Sequence, residues 1–166
     1  MKKICCFILF FVIVYGIYSQ NNFIEIKKEK FIFKYRYTDN TMDVIISANT
    51  TGWIAVGFNP TLKMKNANYI LGYVKDGVLY IEDHFGDSSI SHSSDILLGG
   101  TNDIINPKGS EKNGWTEISF SISRKPTDKF DTEIKKGKNK VIMALGLKDD
   151  FTSKHVNIID FEIILK

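Results

Sequence analysis

Apolar and polar residues alternate in step along much of this chain. Phe31, Phe33, Tyr35 and Tyr37 are interleaved with Ile32, Lys34 and Arg36. Met42, Val44, Ile46 and Ala48 are interleaved with Thr41, Asp43, Ile45 and Ser47. The same rhythm returns at Thr116, Ile118, Phe120 and Ile122, and again at Ile159, Phe161, Ile163 and Leu165. A period of two sends alternate side chains to opposite faces of an extended backbone, so each run predicts a half-buried strand. Residues 53–58 are apolar on both faces and predict a central strand. Residues 69–74 and 78–85 flank Asp76-Gly77, a pair suited to a tight hairpin whose turn needs positive φ. Residues 141–145 add another strand. Helical periodicity is poor, and the one candidate is a short turn around Met64–Ala67. Segments 86–95 and 99–113 are rich in Ser, Gly, Asp and Asn and read as loops. Many short strands separated by turn signals predict an all-β sandwich or barrel.

The first residues break this pattern. Lys2 and Lys3 precede an apolar run from Ile4 to Ile17, and polar sequence begins at Ser19 and Gln20. That layout predicts a secretory signal peptide over 1–19, cut after Ser19, and one mature domain over 20–166. The run is short for a helix crossing a hydrocarbon core of ~30 Å. An uncleaved anchor is the rival reading and the only route to a membrane. Export to the periplasm, cell surface or medium is the expectation. Both cysteines, Cys5 and Cys6, lie in the apolar run. The mature domain is thus expected to have no disulfide, thiolate ligand or Cys nucleophile. Without Lys2 and Lys3 the positive and negative charges nearly balance, and the absence of a basic stripe argues against nucleic acid as a partner.

The chain contains no Gly-x-Ser-x-Gly elbow, no Gly-rich phosphate loop and no His-Glu-x-x-His motif. Nothing promotes one serine to nucleophile, so a binding role is expected rather than an enzyme. The histidines are His84, His92 and His155. Asp83, His84, Asp87, His92 and Asp95 lie close in sequence, and carboxylates with imidazoles can ligate a metal. Their spacing matches no metal motif. The preferred reading is a polar loop in which Asp83 and Asp95 bond to backbone.

Residues 52–83 carry a more specific pattern. Gly52-Trp53 runs to Gly57-Phe58. Met64-Lys65-Asn66-Ala67 follows, then Gly72-Tyr73-Val74, Asp76-Gly77 and Asp83. Together with Arg124, Pro126, Thr127 and Asp128, and with His155 before the last strand, this resembles the DOMON family over about residues 23–166. The resemblance implies an immunoglobulin-like antiparallel β-sandwich of about ten strands that binds haem or sugar. In the cytochrome-type members a b haem has an axial Met and an axial His. The matching positions are Met64 and His155, with Lys154 as a rival second ligand. No Cys-x-x-Cys-His occurs, so the haem b would be held non-covalently. A thioether and an imidazole filling both axial positions suit electron transfer to a redox partner protein. Met64 stands between Lys63 and Lys65, where a packing Met is unexpected. The competing expectation is a carbohydrate-binding or protein-interaction module without haem, in which Tyr69, Tyr73, Tyr80 or Trp115 stacks on a sugar. Trp53 is expected in the core. Arg124 is expected in an ion pair with Asp128 or Asp131.

Overall fold

A computed structural model describes residues 22–166, so the signal-peptide expectation for 1–19 lies outside the described residues. Two antiparallel sheets pack face to face. The first has five strands in the order β1 (Ile24–Lys28), β2 (Phe31–Tyr37), β3 (Thr41–Ala48), β9 (Trp115–Ser123) and β8 (Ile105–Lys112). The second has six: β11 (Asn157–Leu165), β10 (Gly137–Leu145), β4 (Ile54–Phe58), β5 (Asn68–Lys75), β6 (Val78–Phe85) and β7 (Ser93–Ser94). The expected sandwich is present, with eleven strands. Among the described residues no helix is long and apolar enough to cross a membrane.

The alternating positions behave as their period requires. Phe31, Phe33 and Tyr35 of β2, Met42, Val44 and Ile46 of β3, and Ile118, Phe120 and Ile122 of β9 are buried between the sheets. From the other sheet they meet Ile54, Val56 and Phe58, Val141, Met143 and Leu145, and Ile159, Ile163 and Leu165. β4 is buried at every residue, as its unbroken apolar run predicts. The β5–β6 hairpin turns at Asp76 (φ 52°) and Gly77 (φ 76°), the positive angles that an Asp-Gly turn supplies.

Two expectations need correction. Residues 105–112, read as loop, form β8 at the edge of the five-stranded sheet. Its face is almost wholly exposed and its register slips between Ile105 and Lys108, around Pro107. A polar edge strand with a bulge has no buried side to impose alternation, and Pro and Lys protect it from further pairing. The sequence signal was Asn113-Gly114, which makes the β8–β9 turn with φ of 54° and 76°. The helical candidate at Met64–Ala67 is a turn closed by a Leu62–Lys65 bridge. The helix is a single turn at Asp95–Leu98 (α1), ended by Gly99 in the left-handed region.

Candidate functional site

The outer face of the six-stranded sheet holds an unusual run of small residues. Strand register sets Ile142 opposite Gly57 and Gly57 opposite Tyr69. In the next row Ala144 faces Ala55, and Ala55 faces Leu71. A Cβ on Gly57 would stand 2.4 Å from the Tyr69 ring, so glycine is what lets that ring lie flat across β4. Ala55, Tyr69, Ile142 and Ala144 line a cleft of about 710 Å³, within the usual range for small-molecule and cofactor sites.

Three loops raise its walls. Pro60, Thr61, Lys63 and Met64 come from the β4–β5 connection, Ser89 and Ile90 from the β6–β7 connection, and His155 from the β10–β11 connection. Met64 and His155, separated by six strands in sequence, therefore border one cleft. Lys154 does not line it. Met64 is half-buried and His155 exposed. The rim is apolar at Ile90 (79% exposed) and Ile158 (61%), side chains left in water by the protein alone. Lys63 and Lys140 supply positive charge, and Asp160 and Glu162 line the β11 side. Lys65 is not a lining residue. The Tyr69 hydroxyl is buried without a partner among the described residues, and burial pushes its pKa well up.

Each wall has a physical clamp, and the clamps explain the Gly-Trp and Met-x-x-Ala pattern. Trp53 is 5% exposed and packs with Ala55 and Leu71 against Tyr73, Ala144 and Phe151. Its expected burial holds, but in a small cluster on this outer face rather than between the sheets. Its Nε1 donates to Ser153 Oγ at 2.9 Å, its N–H donates to the Lys148 carbonyl, and its carbonyl accepts from Gly146 N–H. Cβ atoms on Gly52 or Gly146 would collide with this contact, at 2.5 Å from Lys148 N and 2.1 Å from Trp53 Nε1. Trp53 thus holds the loop that carries His155. The Met64 turn rests on Gly86, where a Cβ would fall 1.8 Å from the Met64 carbonyl oxygen. Asn66 N–H donates to the Gly86 carbonyl at 2.7 Å and Gly86 N–H to the Ala67 carbonyl at 2.9 Å. Lys63 (φ 52°) and Asn66 (φ 62°) bend the turn through the left-handed region. The part played by Gly86 escaped sequence reading, since one glycine in a Gly/Ser-rich loop carries no distinguishing signal.

The third wall leans on a histidine pair. His84 Nε2 lies 2.7 Å from Glu82 Oε2, and its Nδ1 lies 2.8 Å from His92 Nδ1. The His92 ring sits 5.6 Å from that of Tyr69. Burial first, then the His84 charge, pulls the His92 pKa down to about 4, and burial lowers His84 as well. The sign follows. A folded-state pKa below the unfolded value of 6.5 gives stability that is present above pH 6.5 and lost as pH falls toward 4. At about 1.4 kcal/mol per pH unit the loss is of order 3 kcal/mol. In urea melts the stability advantage of wild type over His92→Gln is expected to shrink by about that much between pH 7.5 and 4. Carboxylates other than Asp87, whose charge interacts with His92, titrate alike in both proteins and cancel from the difference, so a pH-independent gap would contradict the buried neutral pair.

Other sequence candidates separate. Tyr73 and Tyr80 stack on each other at 5.0 Å and 12°, Tyr69 is buried, and Trp115 belongs to the other sheet. They do not make a shared flat platform for a sugar. Arg124 is buried, but its expected pairing with Asp128 or Asp131 is not found. Its Nε donates to the Ile134 carbonyl at 3.0 Å, one terminal nitrogen donates to the Thr38 carbonyl at 2.6 Å, and the guanidinium lies over Tyr37. The guanidinium suits several carbonyls converging at one strand end. Of the acidic residues, Asp83 accepts from Asp103 N–H at 3.1 Å, as a backbone-bonding reading requires, whereas the Asp95 carboxylate accepts nothing from the described residues.

Comparison with solved structures finds the same fold in two cytochrome domains. The cytochrome domain of Myriococcum thermophilum cellobiose dehydrogenase is similar with a TM-score of 0.66 at 11% identity, over 87% of this chain and 82% of that one. The cytochrome b domain of pyranose dehydrogenase from Coprinopsis cinerea gives 0.63 at 12% identity, over 85% and 80%. At such identities the likeness is one of fold. The DOMON domain family model matches residues 27–146, most of the described sandwich. With residues 27–146 of its 166 matched by that model, the chain belongs to the DOMON family.

Proposed function

We propose that the cleft binds a b-type haem non-covalently, with Met64 and His155 as its two axial ligands, and that the protein is an exported electron carrier rather than an enzyme. One observation carries the reading. The residues that the family pattern nominates from distant parts of the chain border the same apolar cleft, while the rival Lys154 does not. The remaining chemistry fits. Ala55 and Ala144 keep the floor of the cleft low and apolar. Lys63 and Lys140 line the cleft, where they would pair with the carboxylates of a bound haem. Bound haem supplies a one-electron redox centre, and a thioether–imidazole pair raises its potential. With Met64 and His155 both bound, such a haem would keep no open position, which would disfavour oxygen chemistry. The exposed apolar rim of Ile90 and Ile158 is where a partner protein would approach. That partner would supply any catalysis.

The test is the visible spectrum of the protein reconstituted with haem, oxidised and then reduced with dithionite. Low-spin α and β bands with a sharp Soret band are expected. They should be lost in both Met64→Ala and His155→Ala and kept in Lys154→Ala. A folded but colourless protein would remove the haem reading and leave a haem-free carbohydrate-binding or protein-interaction role to be tested.

A further inference from the structure

A second site lies inside the sandwich, away from the cleft. Asp83 on β6, Asp95 at the start of α1 and Asp131 in the β9–β10 connection bring one carboxylate oxygen each within 4.8 Å of one another. Asp83 is 2% exposed and Asp95 is fully buried. Asp103 and Asp128 lie close enough for their charges to act on this group. No Lys, Arg or His among the described residues forms an ion pair with any of the five. Like charges confined in a protein interior are costly unless something offsets them.

The hydrogen bonds divide the oxygens into two sets. Asp131 Oδ2 accepts from the Thr127 N–H and hydroxyl, and Asp83 Oδ2 from Asp103 N–H. Those oxygens anchor the surrounding loops. Asp83 Oδ1 and both oxygens of Asp95 accept nothing from the described residues. Asn68 packs beside them, 6% exposed, with its amide nitrogen 2.7 Å from Asp131 Oδ1 and its own Oδ1 also unpartnered. Four buried oxygens on three side chains without a donor are far from the usual satisfaction of interior polar atoms.

We propose that Asp83, Asp95 and Asp131 form a structural calcium site, with the Asn68 amide oxygen available as a fourth ligand. Two oxygens at 2.3–2.6 Å from a shared calcium ion can be at most about 5 Å apart, the span over which these three carboxylates converge. The donors are all hard oxygens, with no thiolate or imidazole among them, which disfavours zinc and copper. Burial disfavours magnesium, which keeps much of its water. The ion joins β6 of one sheet to the two connections, 95–104 and 124–136, that close this end of the sandwich.

The experiment uses protein from the full chain, stripped with EDTA, desalted and titrated with calcium chloride or magnesium chloride. Isothermal calorimetry should give one calcium site per chain, and Tm should rise by about 5–10 °C at hundredfold excess over Kd. Asp95→Asn should abolish the calcium-dependent rise. Asp131→Asn, at the loop, gives the same reading if Asp95→Asn fails to fold. An unchanged Tm with no binding heat in the wild type would overturn the proposal, and an equal response to magnesium would overturn the choice of calcium.

Discussion

Trp53→Ala is expected to lower stability by about 3–5 kcal/mol and, if the cleft holds haem as proposed, to weaken haem binding by far more than any other substitution that leaves the ligands in place. The stability term follows from burial. The indole is 5% exposed and holds together a cluster with Ala55, Leu71, Tyr73, Ala144 and Phe151, and truncating a buried aromatic to alanine costs about that much. The binding term follows from position. The indole is the floor on which the 146–156 loop lies, through the Nε1 bond to Ser153 and the close approach of Gly146. That loop ends in His155, whose side chain is exposed and so draws little support from packing of its own. With the floor gone, the imidazole is no longer held at the cleft before the ligand arrives, and ordering it must come out of the binding energy. Trp53→Phe separates the two terms. It keeps most of the apolar contact but cannot donate to Ser153, so a small stability loss with weakened haem affinity is expected. Urea melts of the haem-free proteins and haem titration followed at the Soret band measure the two quantities. Unchanged haem affinity in Trp53→Ala would mean that the loop holds itself.

Much of this was legible because a two-sided sheet prints its burial on the chain. β2, β3, β9 and β11 bury alternate residues over most of their length, the period of a half-buried strand. β8 was illegible for the converse reason, because both its faces meet water and no alternation is required of it. The haem-ligand candidates were legible only through the resemblance. Met64 and His155 lie on loops, where spacing says nothing about proximity, and the cleft between them is made by strand register. Asp83 and Asp95 could be grouped from sequence, but Asp131 could not, since it arrives from a connection more than thirty residues further on, a distance that only the fold closes. The same distance misled the reading of Arg124. Asp128 and Asp131 are its neighbours in sequence, yet the chain turns them toward the interior carboxylates while the guanidinium turns to Thr38 and Ile134.

If the cleft holds haem as proposed, Gly86→Ala should leave a folded protein whose haem has lost its methionine. The added Cβ would sit 1.8 Å from the Met64 carbonyl oxygen and 2.8 Å from its carbonyl carbon, both backbone atoms that no rotamer change can move aside. One of the two segments must shift by more than an ångström to restore ordinary contact. The 86–92 loop and the Met64 turn are joined by the Asn66 and Gly86 hydrogen bonds, so displacing one strains the other. Overpacking of this kind costs about 1–3 kcal/mol, within what a domain with this core can bear. Ligation is less forgiving, because a metal–ligand bond tolerates only a few tenths of an ångström. His155 is on the opposite connection and does not touch Gly86, so the imidazole should still bind. The expected spectrum is that of haem with one histidine ligand, high-spin and without sharp α and β bands when reduced, and it should match Met64→Ala. Added imidazole, which fills an empty axial position, should restore a low-spin spectrum in both variants alike. A Gly86→Ala protein that keeps the wild-type bands would show that the turn can move without carrying Met64 away, and the clamp would then have to lie in the left-handed bends at Lys63 and Asn66.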